Sequence, residues 1–133
     1  MFAQRIAVWK ATESYADCIP MPPASRKLRW LDCSWNVALV GMSVSVQDQD
    51  CLEAGKALLD AGHSPLVLNL SDYLVPGGCV AAGSGAQEES IWRMTNYCKT
   101  LTQDFYPIQN DEAVYSPQVT VFQPWPVPPS TWK

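Results

Sequence analysis

The stretch LVLNLSDYLVPGGCVAAGSGAQEES, residues 66–90, decides how the chain is read. Its first five residues, Leu66 to Leu70, read as a short apolar strand of the kind buried in parallel sheets. From Pro76 to Ser90 the segment then spends four glycines and three alanines before delivering Gln87, Glu88 and Glu89 side by side. Glycine permits backbone angles and close approaches that a side chain forbids, so such a loop can lie directly against a ligand. Two carboxylates just beyond it suit acid and base work. The residues leave a second reading open, a connector followed by an ordinary acidic first turn of a helix.

Upstream, the chain supplies the rest of a strand–helix–strand unit. WNVALVGMSVSV, Trp35 to Val46, is rich in β-branched residues and alternates in its second half, which predicts a strand. QDQDCLEAGKALLDAG, Gln47 to Gly62, predicts a helix: Asp50 caps it, Glu53 completes a capping box, Leu58 and Leu59 follow, and Gly62 stops it. With Leu66–Leu70 this makes a βαβ unit with an expected right-handed crossover. Ligands in open α/β sheets sit at the carboxyl ends of the strands, where the glycine loop leaves Leu70.

Downstream, in QEESIWRMTNYCKTLTQDF, Gln87 to Phe105, the residues Ile91, Met94, Cys98, Leu101 and Phe105 recur at three to four positions and predict one long helix with a buried stripe. RIAVW, Arg5 to Trp9, reads as an opening strand, and QVTVF, Gln118 to Phe122, as a closing one. The prolines at 20, 22 and 23 mark a loop, and the proline-rich end after residue 123 is unfit for helix or inner strand. The expected division is one domain over residues 1–123 and an extended tail over 124–133, with Trp125 and Trp132 packing back or meeting a partner.

Bulk properties narrow the function. A chain of 133 residues with 47% hydrophobic and 17% charged residues is globular and of single-domain size. The longest apolar run, Val37 to Met42, is too short to cross a bilayer, and no secretory layout is visible at the N-terminus. A net charge of −4, with only Arg26, Lys27 and Arg29 clustered among nine basic residues, argues against direct nucleic-acid binding. Cys18, Cys33, Cys51, Cys79 and Cys98 are widely spaced, with a single histidine, His63, in the chain. Neither a metal nor a disulfide framework is expected, and the cysteines read as small buried hydrophobes in a reducing, intracellular setting. His63, between AG and SP, reads as part of a turn rather than a catalytic base.

The same segment resembles the signature of the microbial-type poly(ADP-ribose) glycohydrolases, a branch of the macrodomain superfamily. That pattern runs LNFAS, then PGGG, a small-residue spacer and QEE. SVSVQDQDCLEAGKALLDAG is similar to the strand and "TLxAA" helix of that family, and VYSPQVTVF to its "YSPxVPVFR"; together they span about residues 43 to 123 in order. The resemblance implies an abbreviated macrodomain-like three-layer α/β/α sandwich with a mixed sheet. It further implies a site that binds ADP-ribose or poly(ADP-ribose) and cleaves the bond joining one unit to the next, the alternatives being a catalytically impaired ADP-ribose or nucleotide binder and a structural or interaction protein on the same scaffold; no cofactor is expected. By position Glu89 is the general acid and base, Glu88 the ribose ligand and Gln87 a helper. Gly77, Gly78, Cys79 and Val80 form the loop around the sugar, and Asn69 and Asp72 stand at its start.

The chain departs from the pattern at several positions. Cys79 replaces the third glycine, where a side chain is expected to intrude on the ligand or force an unfavourable backbone angle. Asp72 stands in place of a small serine, where it would repel a diphosphate; Tyr73 replaces an alanine and Gln123 an arginine. Members of the family continue into further strands and a second glycine-rich loop. Here the six tryptophans are expected to cover the exposed sheet edge or to form a subunit or partner interface.

Overall fold

A computed structural model describes residues 1–30 and 41–122. The chain is a mixed α/β protein with three α-helices and one two-stranded antiparallel sheet among those residues. In order these are α1 (Phe2–Ala16), β1 (Arg26–Arg29), α2 (Cys51–Asp60), α3 (Gln87–Met94) and β2 (Glu112–Tyr115). Short 3₁₀ turns lie at Val80–Ala82, Tyr97–Lys99 and Gln103–Phe105. The core is built on α3, with Trp9, Val80, Ile91, Trp92, Tyr97 and Leu101 buried together.

The N-terminal stretch is helix, not the strand expected at Arg5–Trp9. Five residues hide the reason. Over the wider window Ala, Gln, Arg, Lys and Glu favour helix, and Trp9, Thr12 and Ala16 fall on one buried face. Trp9 meets Trp92 with ring centroids 5.8 Å apart, and the Thr12 hydroxyl donates to the Arg93 carbonyl at 2.6 Å. α1 therefore lies across α3 and fixes its far side.

Helix α2 forms as its capping residues dictate. Asp50 accepts from the amides of Leu52 and Glu53 at 2.8 and 3.3 Å, and Gly62 beyond the C-terminus takes a φ of +84°. Leu52 is buried, whereas Leu58 and Leu59 face out. The absence of a side chain at Gly55 admits Val67, whose Cγ2 lies 3.2 Å from where a Cβ would stand.

The parallel βαβ unit does not form among the described residues. Leu66–Leu70 belongs to no strand among the described residues, and Leu66, Leu68 and Leu70 are 80%, 73% and 68% exposed rather than buried. Residues 42–46 likewise belong to no strand, and the rest of the strand expected over 35–46 lies outside the described residues. One backbone edge of the Leu66–Leu70 segment is taken by a side chain instead, as shown below.

Helix α3 is shorter than expected because Thr95 turns to an extended conformation (φ −140°, ψ 166°). The buried Thr95 hydroxyl donates back to the Ile91 carbonyl at 2.8 Å, a local bond that competes with continuing the helix. The three-to-four spacing that imitated one long helix is carried on by the 3₁₀ turns, which bury Leu101 and half-bury Cys98 and Phe105. The strand expected at Gln118–Phe122 reduces to one antiparallel bridge, Thr95 to Val121, flanked by bonds from Asn96 N to Thr120 O and from Phe122 N to Met94 O.

Strands β1 and β2 pair from Arg26 opposite Tyr115 to Arg29 opposite Glu112. The basic cluster of the sequence is thus a strand whose Lys27 and Arg29 bond Glu112 at 2.9 and 3.3 Å, while Arg26 lies over the Tyr115 ring. Among the described cysteines Cys18 and Cys79 are exposed and Cys51 and Cys98 half-buried, which corrects the expectation that they are buried hydrophobes.

Replacing Asp50 by alanine is expected to cost about 1 kcal/mol, read from the denaturant midpoint. The Lys27 hydrogen bond, with the Gln109 amide, holds the Glu112 carboxyl below the usual carboxylate range. Its contribution is therefore present above that range and is lost as pH falls through the lowered value. The stability difference between the unmutated chain and Glu112→Gln should accordingly narrow in acid, measured by denaturation across pH.

Candidate active site

The glycine loop folds into consecutive tight turns directly over the first turn of α3. Gly77 and Gly78 take φ values of +75° and +53°, the left-handed region. A Cβ on Gly77 would stand 2.7 Å from the Trp92 ring, and one on Gly78 2.9 Å from Glu89 Oε1 and 3.2 Å from Glu88 Oε2. Both glycines are thus required twice over, by backbone angle and by contact. Cys79 is not: its φ is −99°, an ordinary value, and its side chain is exposed. The unfavourable backbone angle expected at the third position is absent because the loop has already left the left-handed region there.

Glu88 is 3% exposed, yet its carboxylate is fully engaged. Oε1 accepts from Gly77 N at 3.2 Å, Ser71 Oγ at 3.1 Å and Asn69 Nδ2 at 3.4 Å, and Oε2 accepts from Asp72 N at 2.7 Å. One buried anion thereby ties the start, middle and end of the 69–77 segment to α3. The Ser71 hydroxyl also bonds the Tyr106 hydroxyl at 2.9 Å. Burial, with the Glu88 charge nearby, pushes the Tyr106 phenol up to about 12, so it stays protonated at neutral pH.

Glu89 is held differently. It is 6% exposed; Oε1 accepts from Cys79 N at 3.1 Å, and the buried Oε2 has no hydrogen-bond partner. The two oxygens of Glu89 therefore differ, Oε1 tied to the loop backbone and Oε2 enclosed and uncommitted. Adjacent helical residues point about 100° apart, which is why neighbouring carboxyls meet such different surroundings.

The other residues singled out from sequence divide between loop and scaffold. The Gln87 carboxamide donates to Leu68 O at 2.8 Å and accepts from Leu70 N at 2.7 Å, standing in for a strand neighbour. The Asp72 carboxylate accepts from Leu74 N and Val75 N at 2.7 and 3.0 Å, so it turns into its own loop. Asn69 reaches Glu88 through Nδ2. Val80 is a core residue packed with Trp9 and Trp92, not a face of the loop open to a sugar.

Residues not singled out complete the arrangement. Trp92 supports Gly77, and Ser71 and Tyr106 support Glu88. Arg93, 3% exposed, donates through Nη2 to Val80 O at 3.4 Å and to Ser84 O. Burial and the neighbouring Arg5 lower its guanidinium below the ordinary value, while Glu89 pulls it up. The available signal was position: Arg93 follows Glu89 by four residues, one helical turn. A shallow apolar groove of about 310 Å³ runs between α2 and residues 65–70, and Gln87 is the one member of the Gln-Glu-Glu triplet on its wall. Among the described residues no cluster of three or more His, Cys, Asp or Glu is placed to hold a metal, and no helix is long and apolar enough to cross a membrane.

The helix thus opens on paired buried carboxyls beneath a glycine turn. The profile of the family described as microbial-type PARG, catalytic domain, matches residues 6–124, and the chain belongs to that family. No curated protein and no solved structure matches it significantly.

Gly78→Ala is expected to destabilise the chain by at least about 1 kcal/mol, the cost of the left-handed angle alone, whereas Cys79→Ala should fall within about 0.5 kcal/mol of neutral. Chemical denaturation of the two variants side by side checks both.

Proposed function

We propose that the protein hydrolyses ribosidic bonds of poly(ADP-ribose), with Glu89 as the general acid and then the general base. Membership of the microbial-type PARG catalytic-domain family supports the reaction class. The observation that carries the assignment to Glu89 is its divided carboxyl, with Oε1 tied to the Cys79 amide and Oε2 buried and unpartnered. Oε2–H gives its proton to the departing ribose oxygen as the anomeric C–O bond breaks. The resulting carboxylate then takes a proton from the water that attacks the anomeric carbon, which returns Glu89 to its starting form.

The remaining roles follow from the contacts. Glu88, with Asn69 and Asp72, fixes the path of the loop, and Gly77, Gly78 and Cys79 supply backbone to the sugar. In the state described, chain covers Oε2, so the loop has to lift to admit the polymer. We read the described core as the ligand-bearing part of a macrodomain-like sandwich, whose first turn of α3 and glycine loop lie at one end. The covering of Oε2 also favours a second reading, a protein that binds ADP-ribose without turning the polymer over.

Incubation of the chain with poly(ADP-ribose) should release ADP-ribose. Glu89→Gln should lower the rate by about 10²-fold or more while ADP-ribose binding persists in calorimetry. No release by the unmutated chain at high concentration overturns the proposal. Binding without release then supports the second reading, and no binding heat rejects both.

A further inference from the structure

We infer that Arg93 is the positioning residue of this site, gripping the turn after Cys79 so that Glu89 keeps one oxygen anchored and the other directed to the substrate. The inference rests on the proposed function for its catalytic meaning and on geometry for its substance.

Glu89 and Arg93 lie one turn apart on the same face of α3 and hold the same short turn by opposite chemistry. The carboxylate takes the donor at its start, Cys79 N at 3.1 Å. The guanidinium takes acceptors within and beyond it, Val80 O at 3.4 Å and Ser84 O. Together they clamp residues 79–84 to the helix from which the acid projects. From the other side, α1 contributes Arg5, whose Nη1 donates to Gly83 O at 3.4 Å, and Thr12, which bonds the Arg93 carbonyl.

Packing alone does not account for an arginine here. The side chain is 3% exposed, and its Nε and Nη1 are buried without hydrogen-bond partners. A buried cation is costly to leave uncompensated, and an apolar side chain would fill the space without that cost. The hydrogen bonds of Arg93 go instead to Val80 O and Ser84 O, which ties the side chain to the turn anchored on Glu89 rather than to the core.

The test uses Arg93→Met, which keeps bulk and removes charge, and Arg93→Lys, which restores charge without the fork. Amide exchange of the full chain reads the clamp directly, independent of activity. Arg93→Met should raise exchange at Cys79 and at 82–84 by about tenfold, with the α2 amides unchanged, and Arg93→Lys should lie between. Glu89→Gln should raise exchange at the same amides. On poly(ADP-ribose), Arg93→Met should lower kcat by about tenfold or more while KM changes by less than about threefold. Unchanged exchange at Cys79, or a rise spread evenly over all elements, overturns the inference. If Arg93→Met fails to fold, Arg93→Lys decides by the same local criterion. Turnover by the unmutated chain with kcat unaffected in a loosened variant also overturns it and leaves the proposed function standing. Absence of turnover in every form removes the proposed function, and exchange alone then decides whether the clamp exists.

Discussion

Everything in the site depends on one buried anion. The Glu88 carboxylate collects two backbone amides, a hydroxyl and a side-chain amide from residues 69–77, and this is what gives a segment with few apolar anchors a single path. A buried carboxylate is tolerable when it is well hydrogen-bonded, and four donors meet this one. Without that anchor, Gly77 and Gly78 would be free to choose among many conformations, and Cys79 would not arrive at Glu89.

The two neighbouring glutamates show how helix geometry divides labour between identical side chains. One is consumed in building the loop; the other receives a single amide from it and keeps an oxygen uncommitted. Gln87 extends the pattern, since its carboxamide takes the place of a neighbouring strand along Leu68 and Leu70. Three consecutive residues at the start of α3 therefore meet the strand-like segment, the 69–77 loop and the Cys79 amide in turn.

What was legible in the sequence was local. Asp50 before a helical run predicts α2 because capping needs only the adjacent amides. The glycine loop opening onto Gln87 was legible for the same reason, since left-handed angles leave a compositional trace. Long-range features were not. Arg5–Trp9 looked like a strand until the buried faces of Trp9, Thr12 and Ala16 against α3 settled it as helix, a tertiary effect over weak local preference. Leu66–Leu70 carries the composition of an inner strand, but composition does not supply a neighbour to pair with. The stripe from Ile91 to Phe105 kept helical spacing through a break at Thr95 because successive short turns bury the same side. Arg93 escaped notice because its contacts lie with carbonyls nine and thirteen residues away in the chain, beyond one helical turn.

The conformation of Cys79 has a practical consequence. Its side chain is displayed to solvent while its own amide bonds Glu89, so the residue is a ready attachment point for a fluorophore or spin label. With Cys18, the other exposed thiol among the described residues, replaced, a probe there would ride on the peptide unit bonded to Glu89 and report the surroundings of that carboxyl.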